Sequence, residues 1–258
     1  MSLGAAMDVR FEATIEEFMQ YCSDLGLDHV EFKTEYLEGH PDVPTPERIG
    51  QLAEQYGMSL TFHAPFRDWN IGSFNDRSAR ASIEQVTATL DAAATAGAGA
   101  VVVHGGDVAT RYPEWVRQTA RENAIDALGE CAEHAERVGV PLCLENQPPD
   151  AKRDRYTVTP TKLAETLDAV DADPSALRVT LDVGHANITD SGWQTFAEQF
   201  GDRIEVCHLH DNDGSSDAHY PLEEYESIID TVGATYNVFE MVTLEDIEAC
   251  VGRTADVN

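Results

Sequence analysis

The apolar residues of this chain fall into short runs that alternate with longer segments of helical period. β-rich runs occur at 3–7, 28–33, 59–63, 100–104, 140–145, 178–182, 204–208 and 235–240. Helical patterns occupy 14–25, 46–56, 77–96, 114–138, 160–169, 193–200, 222–232 and 243–251. Strands alternating with helices predict βα units around a parallel sheet, and eight such units is the count of an α/β (β/α)8 TIM barrel. Gly57, Gly97 and Gly139 stand where three of the helices should stop, the position that favours a left-handed residue. No linker or compositional break interrupts the pattern, so one domain over residues 1–258 is expected. The length of 258 residues agrees with the roughly 250 of such a barrel.

Side chains alternate between the two faces of a strand, which separates the rows. Counting back from His63, Thr61 and Ser59 share its face, while Phe62 and Leu60 oppose it. Cys143 lies on the face of Glu145 and Thr180 on that of Asp182; Leu142, Leu144, Val179 and Leu181 point the other way. Large apolar groups should therefore pack on the helices, and small or polar groups should line the barrel, each inward row ending in an acid or a histidine.

Composition sharpens this only in part. Asp and Glu total 47 against 17 Lys and Arg, a formal net charge of -30, and the lysines are only Lys33, Lys152 and Lys162. The acids are dispersed rather than gathered in a tail, a composition similar to that of proteins from salt-accumulating halophiles. It disfavours nucleic acid as a partner, because that binding relies on Lys and Arg at phosphates. No run of about 18 apolar residues suggests a membrane span, and the first ten residues show no signal-peptide pattern, so a cytoplasmic location is expected. The five cysteines (Cys22, Cys131, Cys143, Cys207, Cys250) form no CxxC pair and are expected to be buried thiols rather than metal ligands or disulfides.

The chemistry gathers at the strand ends: His63, His104, Glu145, Asp182, His208 and Glu240, spaced 26–41 residues apart, about one βα unit each. In a β/α barrel these ends converge on one mouth, where active sites form. Taken singly, each residue could be a hydrogen-bonded structural group or a helix cap; six in register point to a divalent-metal site, with an N/O donor set suited to Zn, Mn, Co or Fe. His185 should sit in the loop above Asp182. The segment HLHDNDGSSDAH adds His210, Asp211, Asp217 and His219.

These motifs, HAP at 63–65, VVVHGG at 101–106, LEN at 144–146, LDVGH at 181–185, HLHD at 208–211 and DAH at 217–219, carry a resemblance. The chain resembles the xylose isomerase-like barrel superfamily, which includes endonuclease IV (AP endonuclease family 2) and sugar isomerases and epimerases. The likeness to endonuclease IV implies three ion sites. His63, His104 and Glu145 would form one; Glu145 would bridge to a second with Asp182, His208 and Glu240; His185, Asp217 and His219 would form the third. The likeness to the epimerases implies a single ion at Glu145, Asp182, His208 and Glu240. One to three ions per chain, Zn or Mn, are thus expected.

Two departures bear on function. The loop after strand one, Asp8–Glu12, is no counterpart of the basic loops of the DNA-binding relatives, and Tyr220–Glu224 replaces a glycine-rich stretch. The first reading is therefore a metal-dependent isomerase or epimerase of a small sugar. Glu145 and Glu240 would exchange a proton through an enediolate, and His185, His210, Arg67 and Trp69, with Phe66 beside them, would contact the substrate. The alternative is an endonuclease IV-like phosphodiester hydrolase, which a full set of nine ligand-type residues would serve. A metal-binding barrel without turnover is the third. Substrate identity and oligomeric state are left open by the sequence.

Overall fold

The computed structural model describes residues 1–222 and 224–252; residues 253–258 of the expected domain lie outside them. Among the described residues, ten strands and ten α-helices follow one another. The strands are β1 (Ser2–Met7), β2 (His29–Lys33), β3 (Ser59–His63), β4 (Val101–His104), β5 (Asp107–Ala109), β6 (Leu142–Glu145), β7 (Arg153–Arg155), β8 (Leu177–Asp182), β9 (Ile204–Leu209) and β10 (Tyr236–Phe239). The helices are α1 (Ile15–Asp24), α2 (Thr34–Gly39), α3 (Pro46–Tyr56), α4 (Asp76–Ala96), α5 (Glu114–Val138), α6 (Pro160–Ala169), α7 (Val183–Asn187), α8 (Gly192–Phe200), α9 (Tyr225–Val232) and α10 (Leu244–Gly252). Eight strands close a parallel barrel in the order β1-β10-β9-β8-β6-β4-β3-β2. The fold is the expected (β/α)8 barrel.

Local chemistry explains the elements. In α1, Ile15, Phe18, Met19 and Cys22 recur at helical spacing and are buried, and Thr14 and Glu17 close a reciprocal capping box, which satisfies two otherwise unpaired N–H groups. Helices α3, α4 and α5 end on Gly57, Gly97 and Gly139 at φ of 67°, 75° and 74°, all in the left-handed well, as the glycine punctuation predicts. The outward faces of the strands, among them Phe32, Leu60, Phe62, Leu144 and Leu181, join the helices in the main core. A second cluster of Ala6, Ala100, Val102, Cys143, Val206 and Val238 fills the barrel. These residues are small because buried His29, Glu31, Thr61 and Thr180 share the interior. All five cysteines are buried, and none is joined in a disulfide. No helix among the described residues is long and apolar enough to cross a membrane.

Three features differ from the sequence expectation. The strand expected at 140–145 starts at Leu142, after Pro141, which has no N–H to give a ladder. The helix expected from 222 starts at Tyr225. His185 sits on the short helix α7 rather than in a loop, because the Asp182 carboxylate accepts the His185 N–H at 2.7 Å and turns the chain into a helix directly off the strand. Short elements also went unpredicted: α2, and the antiparallel pair β5/β7 outside the barrel, which pairs Asp107 with Arg155.

Candidate active site

Alternation along the strands sends one residue per strand to the mouth. Glu145, Asp182 and His208 are fully or almost fully buried there, with Glu240 beside them. His208 is the hub. Its Nδ1 lies 3.1 Å from Glu145 Oε1, 3.6 Å from Glu240 Oε1 and 3.8 Å from Asp182 Oδ2. On its other side, Nε2 stands 3.2 Å from Glu31 Oε1. Asn146 locks the neighbouring strand ends together: its Nδ2 donates to the Asp182 carbonyl at 2.9 Å, and its Oδ1 accepts the Asp182 N–H at 2.7 Å.

The other histidines are held by the main chain. Nδ1 of His63 donates to the Ala64 carbonyl, that of His185 to the Asn146 carbonyl and that of His219 to the Glu240 carbonyl, each at 2.8 Å. A carbonyl can only accept, so each of these nitrogens carries its hydrogen and each Nε2 of the neutral ring presents a lone pair. Those lone pairs face carboxylates. Nε2 of His63 is 3.4 Å from Glu145 Oε2, and Nε2 of His185 and His219 are 3.2 and 3.5 Å from Asp217 Oδ2. Nε2 of His104 is 2.8 Å from Glu145 Oε2, yet that buried oxygen has no aligned hydrogen bond. Lone pair against lone pair is repulsive unless a positive charge lies between them.

The electrostatics express the same demand. Burial opposes charge on His185, but Asp182, Asp217 and Glu145 outweigh it and push its pKa up to about 10. Burial likewise opposes charge on His63, His208 and His219, and facing carboxylates raise all three above the usual imidazole value. His104 goes the other way: burial, with His63 and His185 adding to it, outweighs Glu145. Burial favours the neutral acid of Glu145, yet His104, His208 and His63 hold it well below the usual carboxylate range. Lys33, His208 and His219 do the same for Glu240 against its burial. In metal proteins the imidazole nitrogen opposite the metal usually donates to a carbonyl or carboxylate, which is the arrangement of His63, His185, His208 and His219. The donor set thus fits divalent cations. Donor atoms converge in the groups His63/His104/Glu145, Glu145/Asp182/His208, Glu31/His208/Glu240, Asp182/His185/His210 and His210/Asp217/His219.

Above these groups opens a cavity of about 220 Å³, lined by His63, His104, Glu145, His185, Asp217, His219 and Glu240 together with Phe66 and Arg67. This is smaller than the roughly 300–1,000 Å³ of pockets for drug-sized ligands, and suits a small molecule. Phe66 lies against the rings of His63 and His104, with centroids 5.0 and 4.6 Å away. Two residues expected at the substrate are placed elsewhere. Trp69 lines a smaller side cavity with Phe66 and His104. His210 is fully buried and outside the cavity wall, with Nε2 3.0 Å from Asp182 Oδ1; Gly184 makes room for it, since a Cβ there would meet its ring at 2.0 Å.

Comparison with known proteins follows this geometry. Residues 19–238 match the family described as Xylose isomerase-like TIM barrel. The chain belongs to the xylose isomerase-like TIM barrel family. A protein of Methanocaldococcus jannaschii without a described activity is 32% identical over 177 residues, 67% of this chain, which spans 58% of that relative's length. Fructoselysine 3-epimerase of Shigella flexneri is 26% identical over 252 residues, covering 89% of this chain and 86% of the enzyme. Among solved structures, a D-tagatose 3-epimerase-like protein superposes with a TM-score of 0.84 at 25% identity, covering 99% of this chain and 96% of its own.

Within this family member, two mouth residues escaped the sequence reading. Glu31 supports His208 and accepts from Thr61 Oγ1 at 2.9 Å, and Lys33 Nζ lies 3.0 Å from Glu240 Oε1. The signal was present in HVEFK: strand parity puts His29, Glu31 and Lys33 on one row, facing inward.

Proposed function

We propose that the chain is a divalent-metal-dependent isomerase or epimerase of a small keto sugar, acting through an enediolate at the mouth of the barrel. The observation that carries this reading is the pair Glu145 and Glu240. They stand at the ends of β6 and β10, both line one cavity, and an oxygen of each comes within 3.6 Å of the same His208 nitrogen. Both are held as carboxylates, the form that accepts a proton. An ion held by Glu145, Asp182, His208 and Glu240, Zn or Mn by the chemistry of the donors, would supply Lewis-acid polarisation of the sugar carbonyl. One glutamate then takes the hydrogen from the carbon beside the carbonyl, and the other delivers a proton to the opposite face. Phe66 shields the reacting end from water, and His185 and Arg67 face the sugar from the cavity wall. The relatives named as 3-epimerases support this reading.

Phosphodiester hydrolysis is the second reading. It is favoured by His63, His104, His185, Asp217 and His219, which provide donors beyond the four an epimerase site requires. The small cavity and the net charge of -30 favour the sugar. Solvent-deuterium incorporation into a panel of ketoses, run beside nicking of abasic-site DNA, separates the two. Exchange without nicking is expected; nicking without exchange would reverse the order.

The clustered donors also set a metal count. Elemental analysis at saturation is expected to give more than one ion per chain, and His63→Ala combined with His104→Ala should remove one of them. A single ion in the unaltered protein would refute the multi-ion reading and leave only the four-residue site.

A further inference from the structure

Four of the 17 lysines and arginines line the cavity: Arg10, Lys33, Arg67 and Arg155. Two of them are already neutralised. Arg10 grips Asp8 through two hydrogen bonds of 2.6 and 2.8 Å, and Lys33 pairs with Glu240. The other two are held more loosely or not at all. Arg67 has no ion-pair partner among the described residues, and its guanidinium lies over the Phe66 ring, 4.6 Å from the centroid. Arg155 comes no closer than 3.8 Å to the Asp150 carboxylate, gives one hydrogen bond to the Pro148 carbonyl, and leaves a buried Nε without a partner. In a chain with 47 acids, one cavity arginine with no carboxylate partner among the described residues and a second with only a long one stand out against the charge balance.

Arg67 is also held in place. One oxygen of the Glu35 carboxylate accepts the N–H groups of both Phe66 and Arg67, at 2.9 and 3.0 Å. The next residue, Asp68, takes a left-handed φ of 63°, a conformation few non-glycine residues adopt. Two main-chain clamps and a left-handed turn thus fix the backbone that carries Arg67, and the Phe66 ring supports its exposed guanidinium. Arg155 closes the β5/β7 pair beside the same cavity. A planar guanidinium fork matches an oxyanion with two parallel hydrogen bonds.

We propose that Arg67 and Arg155 form a subsite for an anionic group, a carboxylate or a phosphate, carried by the keto sugar away from its reacting carbon. The substrate class is then a sugar acid or a sugar phosphate rather than a neutral sugar. This rests on the epimerase reading for the reaction, but not for the binding it predicts.

Calorimetric binding at one fixed salt concentration tests it, with fructose, fructuronate and fructose 6-phosphate as probes, on the unaltered chain, Arg67→Gln, Arg155→Gln and the double variant. Solvent-exchange kinetics are run in parallel. One anionic probe should bind at least about 10-fold more tightly than fructose, as charge-assisted bidentate pairing implies, and this ratio should fall towards one in the double variant. Whichever anion holds the advantage identifies the group as carboxylate or phosphate. The ratio should also shrink as salt is raised. Equal binding of the three probes, binding of none, or a preference that survives both substitutions overturns the subsite. Absence of exchange with every probe counts against the epimerase reading, while the binding ratio still decides the subsite.

Discussion

Glu240→Gln is expected to abolish proton exchange at the sugar carbon while the sugar still binds. Glutamine keeps the shape and one oxygen of the side chain but cannot accept the proton. The loss should reach about 10²–10⁴-fold, the usual contribution of a proton-transfer group, and should fall on kcat rather than KM. One complication is built into the site. Lys33 is buried with Glu240 as its ion-pair partner at 3.0 Å, and stranding a buried charge costs roughly 3–5 kcal/mol. Lys33→Met combined with Glu240→Gln removes the stranded charge, so a double variant that is stable and keeps its metal content by elemental analysis, yet is inactive, assigns the loss to proton transfer. Exchange retained in a folded Glu240→Gln protein would eliminate the two-glutamate mechanism.

The second large effect belongs to a residue outside the cavity wall. Glu31 is fully buried and touches His208 on the side away from Glu145, Asp182 and Glu240. It fixes which nitrogen of His208 is free and raises the electron density on that nitrogen. Glu31→Gln retains an acceptor but removes the charge, and should weaken divalent-metal affinity by about 10–100-fold, as outer partners of metal-binding histidines typically do. Competition against a chelator measures this directly, with thermal melting to show that the barrel persists. Unchanged affinity would mean that His208 is oriented by packing alone.

What the sequence revealed, and what it concealed, follows from physics. The barrel was legible because two periods, two residues for strands and 3.6 for helices, alternate cleanly along the chain. The strand-end residues were legible because parity and spacing agree at His63, Glu145 and Asp182. The same parity applies to β2: Glu31 lies one layer below the strand ends, level with Thr61, while Lys33 ends β2 as His63 ends β3 but is a cation rather than a metal-ligand type. The position of His210 could not be read: HLH puts it on the inward row with His208, but the Gly184 backbone leaves a space behind Asp182 and the ring fills it. Helix α7 was hidden because its start depends on a side-chain cap from a residue that also counts as a ligand type. The split between Arg67, at the cavity, and Trp69, beside it, is set by the turn at Asp68, which no apolar pattern encodes.

Three of the site's rings take their orientation from peptide carbonyls, those of Ala64, Asn146 and Glu240. A carbonyl belongs to every residue, so no replacement of those three side chains deletes the acceptor. The imidazoles are therefore insulated from much of the drift in neighbouring identities. The outer shell could accumulate acid to a net charge of -30 while the tautomers at the mouth stayed as the main chain sets them. Adaptation of the surface and upkeep of the reaction centre are, in this barrel, mechanically separate problems.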